Sequence, residues 1–253
     1  MIIRETEHHF VMTAQDEHAH FSGLIANHFA DHLFIDPSYR SDTILAIHEH
    51  DRSWIRLDET PIWNDRIAVP FSFSDYPLLP KLILYRYGLD ETESMNEYAG
   101  LLCSLHFSSF QDIRQSTRSE CVEFIRHEAA RQQRIKDKWK PLDDSMVSKH
   151  LKLLQLCDGI SLYVCLNEPG AAKENEHPWY REGFDMQIDD RKLTAQWMNE
   201  ERIMIDPFPF KEAFKAAIRS KHVAKDSIKQ NGIDAAYKNT PFTEQIITFV
   251  GQS

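Results

Sequence analysis

The spacing of apolar residues predicts that the first two thirds of the chain are mostly helical. Apolar positions recur at intervals of three and four over residues 16–33, 42–54, 93–110, 116–139 and 144–165, the period of a helix with one buried face. Residues 56–92 place prolines among aromatic residues, which predicts an ordered connection with at most a short helix. We therefore expect helices to fill most of residues 15–166.

Short runs of alternating apolar residues flank this helical part on both sides. Residues 1–4 and 10–14 predict a hairpin, and residues 191–198, 201–210, 214–223 and 245–250 predict strands that follow a loop over residues 167–184. The expected fold is mainly α with a small antiparallel β subdomain, α+β overall. Its expected parts are a hairpin (1–14), a helical metal-binding domain (15–166), and a loop with a small β subdomain packed on it (167–253).

Composition and charge narrow the classes of function. The chain has 29 Lys+Arg against 39 Asp+Glu, a formal net charge of −10. This balance argues against nucleic acid as a partner, because affinity for phosphate backbones comes from clustered Lys and Arg. No glycine-rich nucleotide-binding motif occurs. The N-terminus has no apolar leader and no long apolar run follows, so we expect a cytoplasmic protein without a membrane partner.

Histidine outnumbers glycine, 13 to 8, and helical phase separates the histidines by the direction in which they face. A histidine can bind a buried metal ion only if its helix turns it towards the core. The residues predicted to face inward are His18, His50, Asp51, His106 and Asp158. Glu128 also falls on an apolar face, whereas His127 falls on a charged one. His150 is a further candidate.

Imidazole nitrogens combined with carboxylates suit Fe, Mn or Zn better than Ca or Mg. An unpaired carboxylate at Asp158, within an apolar helix, would cost several kcal/mol, so it requires a cation. The inward set therefore predicts a site for a divalent transition metal. The alternative for each residue alone is a hydrogen-bonded core position, with Asp158 paired to a buried Arg or His.

The order of these residues resembles the HD-domain superfamily of metal-dependent phosphohydrolases. The likeness covers residues 15–166 and rests on QDEHAHFSG, HDRSW, SLHFSSF and LQLCDGISLY. More narrowly, these segments resemble a bacterial family of HD-like proteins with no assigned function. The resemblance implies an HD-like helical bundle in which His18, His50, Asp51 and Asp158 bind one metal ion. It places His106 as a ligand of a second ion, and leaves open whether His127, Glu128 or His150 completes the site.

The function that the resemblance implies is hydrolysis of a phosphate ester, with Asp51 and Arg52 as catalytic residues and a phosphorylated small molecule as substrate. Other cations that could bind the phosphate are Arg131, Lys149 and Lys152. Two alternatives use the same residues. One is an HD-fold di-iron oxygenase, and the other is a non-catalytic metal-binding or regulatory protein.

Overall fold

The computed structural model describes residues 1–139, 142–188 and 190–252. Its α-helices are α1 (Gln15–Ala26), α2 (Arg40–Glu49), α3 (Ile55–Asp58), α4 (Leu78–Met95), α5 (Glu97–Ser109), α6 (Gln111–Arg114), α7 (Ser119–Lys138), α8 (Asp144–Leu166), α9 (Lys225–Asn231) and α10 (Ile233–Asn239). Short 3-10 helices span Asp31–Leu33, Pro37–Tyr39, Arg52–Trp54 and Lys173–Asn175. The strands are β1 (Ile2–Glu5), β2 (His9–Thr13), β3 (Trp63–Asn64), β4 (Val69–Pro70), β5 (Gln187–Ile188), β6 (Arg191–Lys192), β7 (Thr194–Asn199), β8 (Arg202–Asp206), β9 (Phe214–Ala224) and β10 (Thr243–Val250).

Helix α4 lies in the segment that the proline pattern predicts as a connection, and that prediction is wrong. Its 18 residues begin directly after Pro77, and Pro80 falls in the first turn. Proline is tolerated there because the first backbone N–H groups of a helix have no partner within the helix. The two prolines therefore mark the beginning of a helix.

Six strands of the described chain form one curled, mixed sheet with the order β1-β2-β9-β10-β8-β7. The N-terminal hairpin joins this sheet through β9, where His9 lies opposite Ala224. Strand β10 runs antiparallel to β9 but parallel to β8, with Phe249 opposite Ile203. The sheet therefore combines both ends of the chain into a half-barrel.

The predicted fold class is therefore wrong. About 52% of the chain is helical. The expected fold is an HD-like bundle that carries a small antiparallel subdomain, whereas the structure has a curled, mixed sheet of six strands that forms a half-barrel. Alternation along a strand predicts its buried face, but its neighbours and their direction depend on contacts far apart in sequence. Here β10 inserts between β8 and β9, after the unpredicted helices α9 and α10.

Four helices pack so that their inner faces meet. Helix α1 contacts α2 and α8, and α5 contacts the same two helices. Their buried residues belong to an apolar core that also contains side chains of the sheet, among them Ile203, Ile247 and Phe249. Among the described residues, no helix combines the length and the apolar character that crossing a membrane requires.

The 3-10 turn Arg52–Trp54 packs against α4 at Gly88, which allows an unusually close approach. A Cβ at residue 88 would lie 2.5 Å from the Cα and 2.6 Å from the backbone nitrogen of Ser53. These are backbone atoms, so the turn itself would have to move. Gly88 thus fixes the position of the chain directly after residues 50 and 51.

We predict that Gly88→Ala lowers the free energy of unfolding by about 2–3 kcal/mol, because the new methyl group overlaps this backbone. Chemical denaturation measures the change. The control is Ile83→Ala on the outer face of the same helix, where the side chain is 68% exposed and the expected change is within about 0.5 kcal/mol. Equal effects of the two substitutions would contradict the close packing.

Candidate metal centre

Four helices bring five of the predicted residues into one cluster. His18 comes from α1, His50 and Asp51 from the end of α2, His106 from α5 and Asp158 from α8. His18, His50 and Asp51 place one ligand atom each within 4.8 Å of one another, and so do His50, His106 and Asp158. These buried His/Asp groups can hold a metal ion.

The ligand atoms are spaced as those around a single ion would be. Nε2 of His18 lies 3.0 Å from Oδ1 of Asp158, 3.3 Å from Nε2 of His50 and 3.8 Å from Oδ2 of Asp51. Nε2 of His50 lies 3.7 Å from each of these two carboxylate oxygens. Metal bonds of about 2.0–2.2 Å place neighbouring ligand atoms about 3.0–3.6 Å apart. His18 and His50 therefore need little movement to share an ion with either carboxylate.

The end of α2 explains how two consecutive residues point to one place. Helix α2 ends at Glu49, His50 keeps helical dihedrals as the C-cap, and Asp51 departs from them with φ −109° and ψ 19°. The chain then enters the 3-10 turn Arg52–Trp54. His50 and Asp51 thus converge because the helix terminates between Glu49 and Asp51.

Hydrogen bonds to the Nδ1 atoms of His18 and His50 orient Nε2 of each ring towards the centre of the cluster. Nδ1 of His50 donates to the backbone oxygen of Ile47 at 2.7 Å. Ser161 Oγ donates to the backbone oxygen of His18 at 3.0 Å, so it accepts from Nδ1 of the same histidine at 2.6 Å. Protonation at Nδ1 leaves the Nε2 lone pair for a metal, and such outer partners fix ring orientation in known sites.

Burial and charge perturb the pKa values of the cluster in opposite directions. Burial lowers the pKa of His50, but the carboxylates of Asp51 and Asp158 outweigh it and raise the pKa to about 9. Burial lowers the pKa of His106 to about 4. Burial also opposes ionisation of Asp158, yet hydrogen bonds with His18 and His50 hold its pKa well below the usual range. Burial raises the pKa of Asp51.

His106 differs from the other two histidines in its contacts. Its Nε2 lies 3.7 Å from Oδ2 of Asp158, and its Nδ1 is buried without a hydrogen-bond partner among the described residues. A neutral imidazole with an unsatisfied nitrogen is costly inside a protein. Its ring faces the cavity described below, so His106 is available to an ion or to a ligand.

The remaining candidates lie elsewhere. Glu128 is fully buried, but it accepts from Ser104 and Arg131 at 2.8 Å each and from Nδ1 of His127 at 2.8 Å. His150 is buried, with Nδ1 bonded to the hydroxyl of Tyr98 at 2.7 Å. Neither Glu128 nor His150 belongs to the cluster.

The cations predicted to bind phosphate are also placed away from the centre. Arg52 donates to Glu49 at 3.0 Å and to Glu91 at 2.8 Å. Arg131 is engaged by Glu128 and by two further carboxylates of α4. Lys149 and Lys152 are exposed on α8. The expected roles of Arg52 in catalysis and Glu128 in metal binding therefore find no support in the geometry.

A cavity of about 520 Å³ opens onto the cluster. Asp51, His106 and Asp158 form its polar end, and the Asp158 side chain is 19% exposed there. Aromatic side chains form much of the remaining wall: Trp54, Phe73, Tyr85, Phe110 and Trp179. Trp179 comes from the loop between α8 and β5, so the C-terminal part of the chain helps to enclose the site.

A buried lysine lines the same cavity. Lys81 of α4 is 6% exposed, and its ammonium group has two long contacts, 3.4 Å to the backbone oxygen of Phe73 and 3.6 Å to Oδ2 of Asp112. Asp112 is itself 58% exposed. A buried ammonium group with such weak partners is suited to bind an anion that enters the cavity.

A family model described as a protein of unknown function, DUF3891, matches residues 1–225. The chain belongs to this family. The matched region contains all five cluster residues and Lys81. No curated protein and no solved structure gives a significant match.

The sequence pattern does not identify Lys81, because the prolines of residues 56–92 predict a connection in place of a helix. Within α4, Lys81, Tyr85 and Gly88 share the buried face, so the helical phase test would have identified the lysine once the helix was recognised. The position of Ser161 in the sequence indicates more simply that it belongs near the site. It lies three residues after Asp158 on α8 and therefore on the same face.

We predict that metal binding releases a proton from His50. Because its pKa is about 9 without a metal, the imidazole is protonated at neutral pH, and an ion that binds Nε2 must displace that proton. Affinity for Mn²⁺ should therefore rise up to about tenfold per pH unit until about pH 9. His106, with a pKa of about 4, contributes no proton in this range.

Calorimetric titration in buffers of different ionisation enthalpy measures the number of protons released. We expect a value near one at about pH 7 for the unmodified protein. Binding that is independent of both pH and buffer would contradict the predicted release of a proton from His50.

Proposed function

We propose that this protein is a metal-dependent phosphohydrolase that acts on a small phosphorylated molecule. Three features support the proposal: the His/Asp cluster, the cavity that opens onto it, and the cation in the cavity wall. The order His18, His50-Asp51, Asp158 resembles that of HD phosphohydrolases. We take only this order of ligands from that superfamily, and not its fold.

The observation that carries the proposal is the position of Lys81. Asp51 and Asp158 would repel a phosphate dianion that entered the cavity alone. A divalent ion held by the cluster would offset this repulsion at the polar end, and Lys81 adds a positive charge in the wall. A site with two carboxylates at its base thereby becomes attractive to a phosphorylated ligand.

The cluster residues take distinct parts in the proposed reaction. His18, His50, Asp51 and Asp158 would hold the ion, with Ser161 orienting His18. The ion would polarise a phosphoryl oxygen and lower the pKa of a bound water towards neutrality. Asp51 lines the cavity and can accept a proton from the attacking water, and the alcohol that leaves as the ester bond breaks takes up a proton in turn. Lys81 stabilises negative charge on the transferred phosphoryl group.

The size and walls of the cavity favour a small ligand. Its volume of about 520 Å³ falls within the range of about 300–1,000 Å³ that is common for small-molecule sites. Aromatic side chains such as Phe110 and Trp179 provide surfaces for an apolar or planar group. The phosphate would then face the metal centre and Lys81.

The donor set suits Mn, Fe or Zn, and the described geometry favours one ion. Helix α7 adds no ligand to the five cluster residues, because Glu128 is bound to Arg131 and His127 is about half exposed. A second ion would have to rely on His106 and on the second oxygen of Asp158. This arrangement weakens the di-iron alternative.

Phosphate release by the metal-loaded protein tests the proposal, with p-nitrophenyl phosphate and a panel of small phosphomonoesters as substrates. We expect Lys81→Gln to raise KM about tenfold or more, since a hydrogen bond to a charged group contributes about 1.5–3 kcal/mol, and to leave the metal content unchanged. Asp51→Asn should lose both metal and activity.

The matched control is Lys149→Gln, which removes an exposed lysine of α8 and should leave KM unchanged. Two results would contradict the proposal. One is an iron-loaded protein with an O₂-dependent spectral change and no phosphate release. The other is inhibition by inorganic phosphate that is equal in the Lys81→Gln variant and the unmodified protein.

A further inference from the structure

A second group of metal-ligating side chains lies on the outer side of α1 and α2, facing away from the buried centre. His20, His48 and Glu49 each place a ligand atom within 4.8 Å of the others, and all three are partly exposed. None of these residues belongs to the buried centre described above.

The outer group contains two imidazoles and one carboxylate, and a second carboxylate, that of Asp16, lies beside it. The rings of His20 and His48 stack with centroids 4.1 Å apart and an angle of 24° between their planes. Nδ1 of His48 lies 3.1 Å from Oε1 of Glu49, and Nε2 of His20 lies 3.4 Å from Oδ1 of Asp16. Two histidines with carboxylates form a common ligand set for Zn²⁺ and related ions.

Two neighbouring contacts hold the group together. A Cβ on Gly23 would lie 2.9 Å from Cδ2 and 3.0 Å from Cβ of His48, so glycine at this position of α1 allows the imidazole to lie against the helix. Arg52 donates to Oε2 of Glu49 at 3.0 Å, which leaves Oε1 directed at His48. Arg52 thus positions a carboxylate of the outer group.

The same two helices therefore present ligands on opposite sides. In α1, His18 faces the core and His20 faces outward. At the end of α2, His48 and Glu49 face outward, and His50 and Asp51 face the core.

We propose that His20, His48 and Glu49, with Asp16 beside them, form a second site for a divalent transition-metal ion such as Zn²⁺. The imidazoles favour Zn²⁺, Ni²⁺ or Cu²⁺ over Ca²⁺ or Mg²⁺, whose sites are built from oxygen atoms. Because these side chains are partly exposed, the ion at this site exchanges more readily than the buried one. The site is independent of the proposed hydrolytic activity.

Equilibrium dialysis against increasing Zn²⁺, followed by elemental analysis, tests the second site. We expect the unmodified protein to bind one further equivalent of Zn²⁺ beyond the tightly held metal. In a His20→Gln/His48→Gln variant the dissociation constant for this equivalent should rise at least about tenfold, while the tightly held metal is retained. The Glu49→Gln variant should weaken the same step with less disturbance of packing.

The control is a His8→Gln/His32→Gln variant, which removes two exposed histidines outside the group and should bind as the unmodified protein does. Absorption bands of Co²⁺ in the visible range provide a second readout, and the double variant of the outer site should lose the band that appears with the second equivalent. The proposal is overturned if no second equivalent binds, or if the isotherm of the His20→Gln/His48→Gln variant superimposes on that of the unmodified protein.

Discussion

The burial of two carboxylates, Asp51 and Asp158, beside three imidazoles is the constraint on which the rest of this structure depends. An unpaired ion in such a position costs several kcal/mol, so the helical core requires a compensating positive charge. The high pKa of His50 shows how the protein meets part of this requirement with a proton. A divalent ion bound at the same place would meet it more fully, which is why we propose that the cluster is a metal centre.

The surrounding elements maintain that arrangement and give it access to a ligand. The end of α2 directs His50 and Asp51 to the same point, and Gly88 lets α4 pack closely against the turn that follows. Lys81 of the same helix lines the cavity. On the far side, Trp179 reaches the cavity from the loop that precedes β5, so the half of the chain that forms most of the sheet contributes to the wall.

The residues of the cluster could be predicted from the sequence because helical phase is a local property. His18, His106 and Asp158 each lie at helical spacing from apolar residues of their own helix. Helical phase identifies the buried face of a helix, but it does not identify the residue that a buried side chain contacts. Glu128 illustrates this limit, since it is buried as expected but accepts a hydrogen bond from Arg131 and lies outside the cluster.

The order of the strands and the lining of the cavity could not be predicted, because both depend on contacts between segments that are far apart in sequence. Nothing in the alternation of β8, β9 and β10 indicates that β10 lies between the other two, because that order results from contacts between distant segments. Lys81 was missed for a related reason. The prolines of residues 56–92 predict a connection, whereas Pro77 directly precedes α4 and Pro80 lies in its first turn.

The metal content of the purified protein tests the central claim most directly. Elemental analysis of the unmodified chain, after dialysis against metal-free buffer, should find about one equivalent of Mn, Fe or Zn per chain, and the Asp158→Asn variant should lose it. A folded, unmodified protein that retains no metal under these conditions, and that takes up none when Mn²⁺, Fe²⁺ or Zn²⁺ is added, would contradict the account.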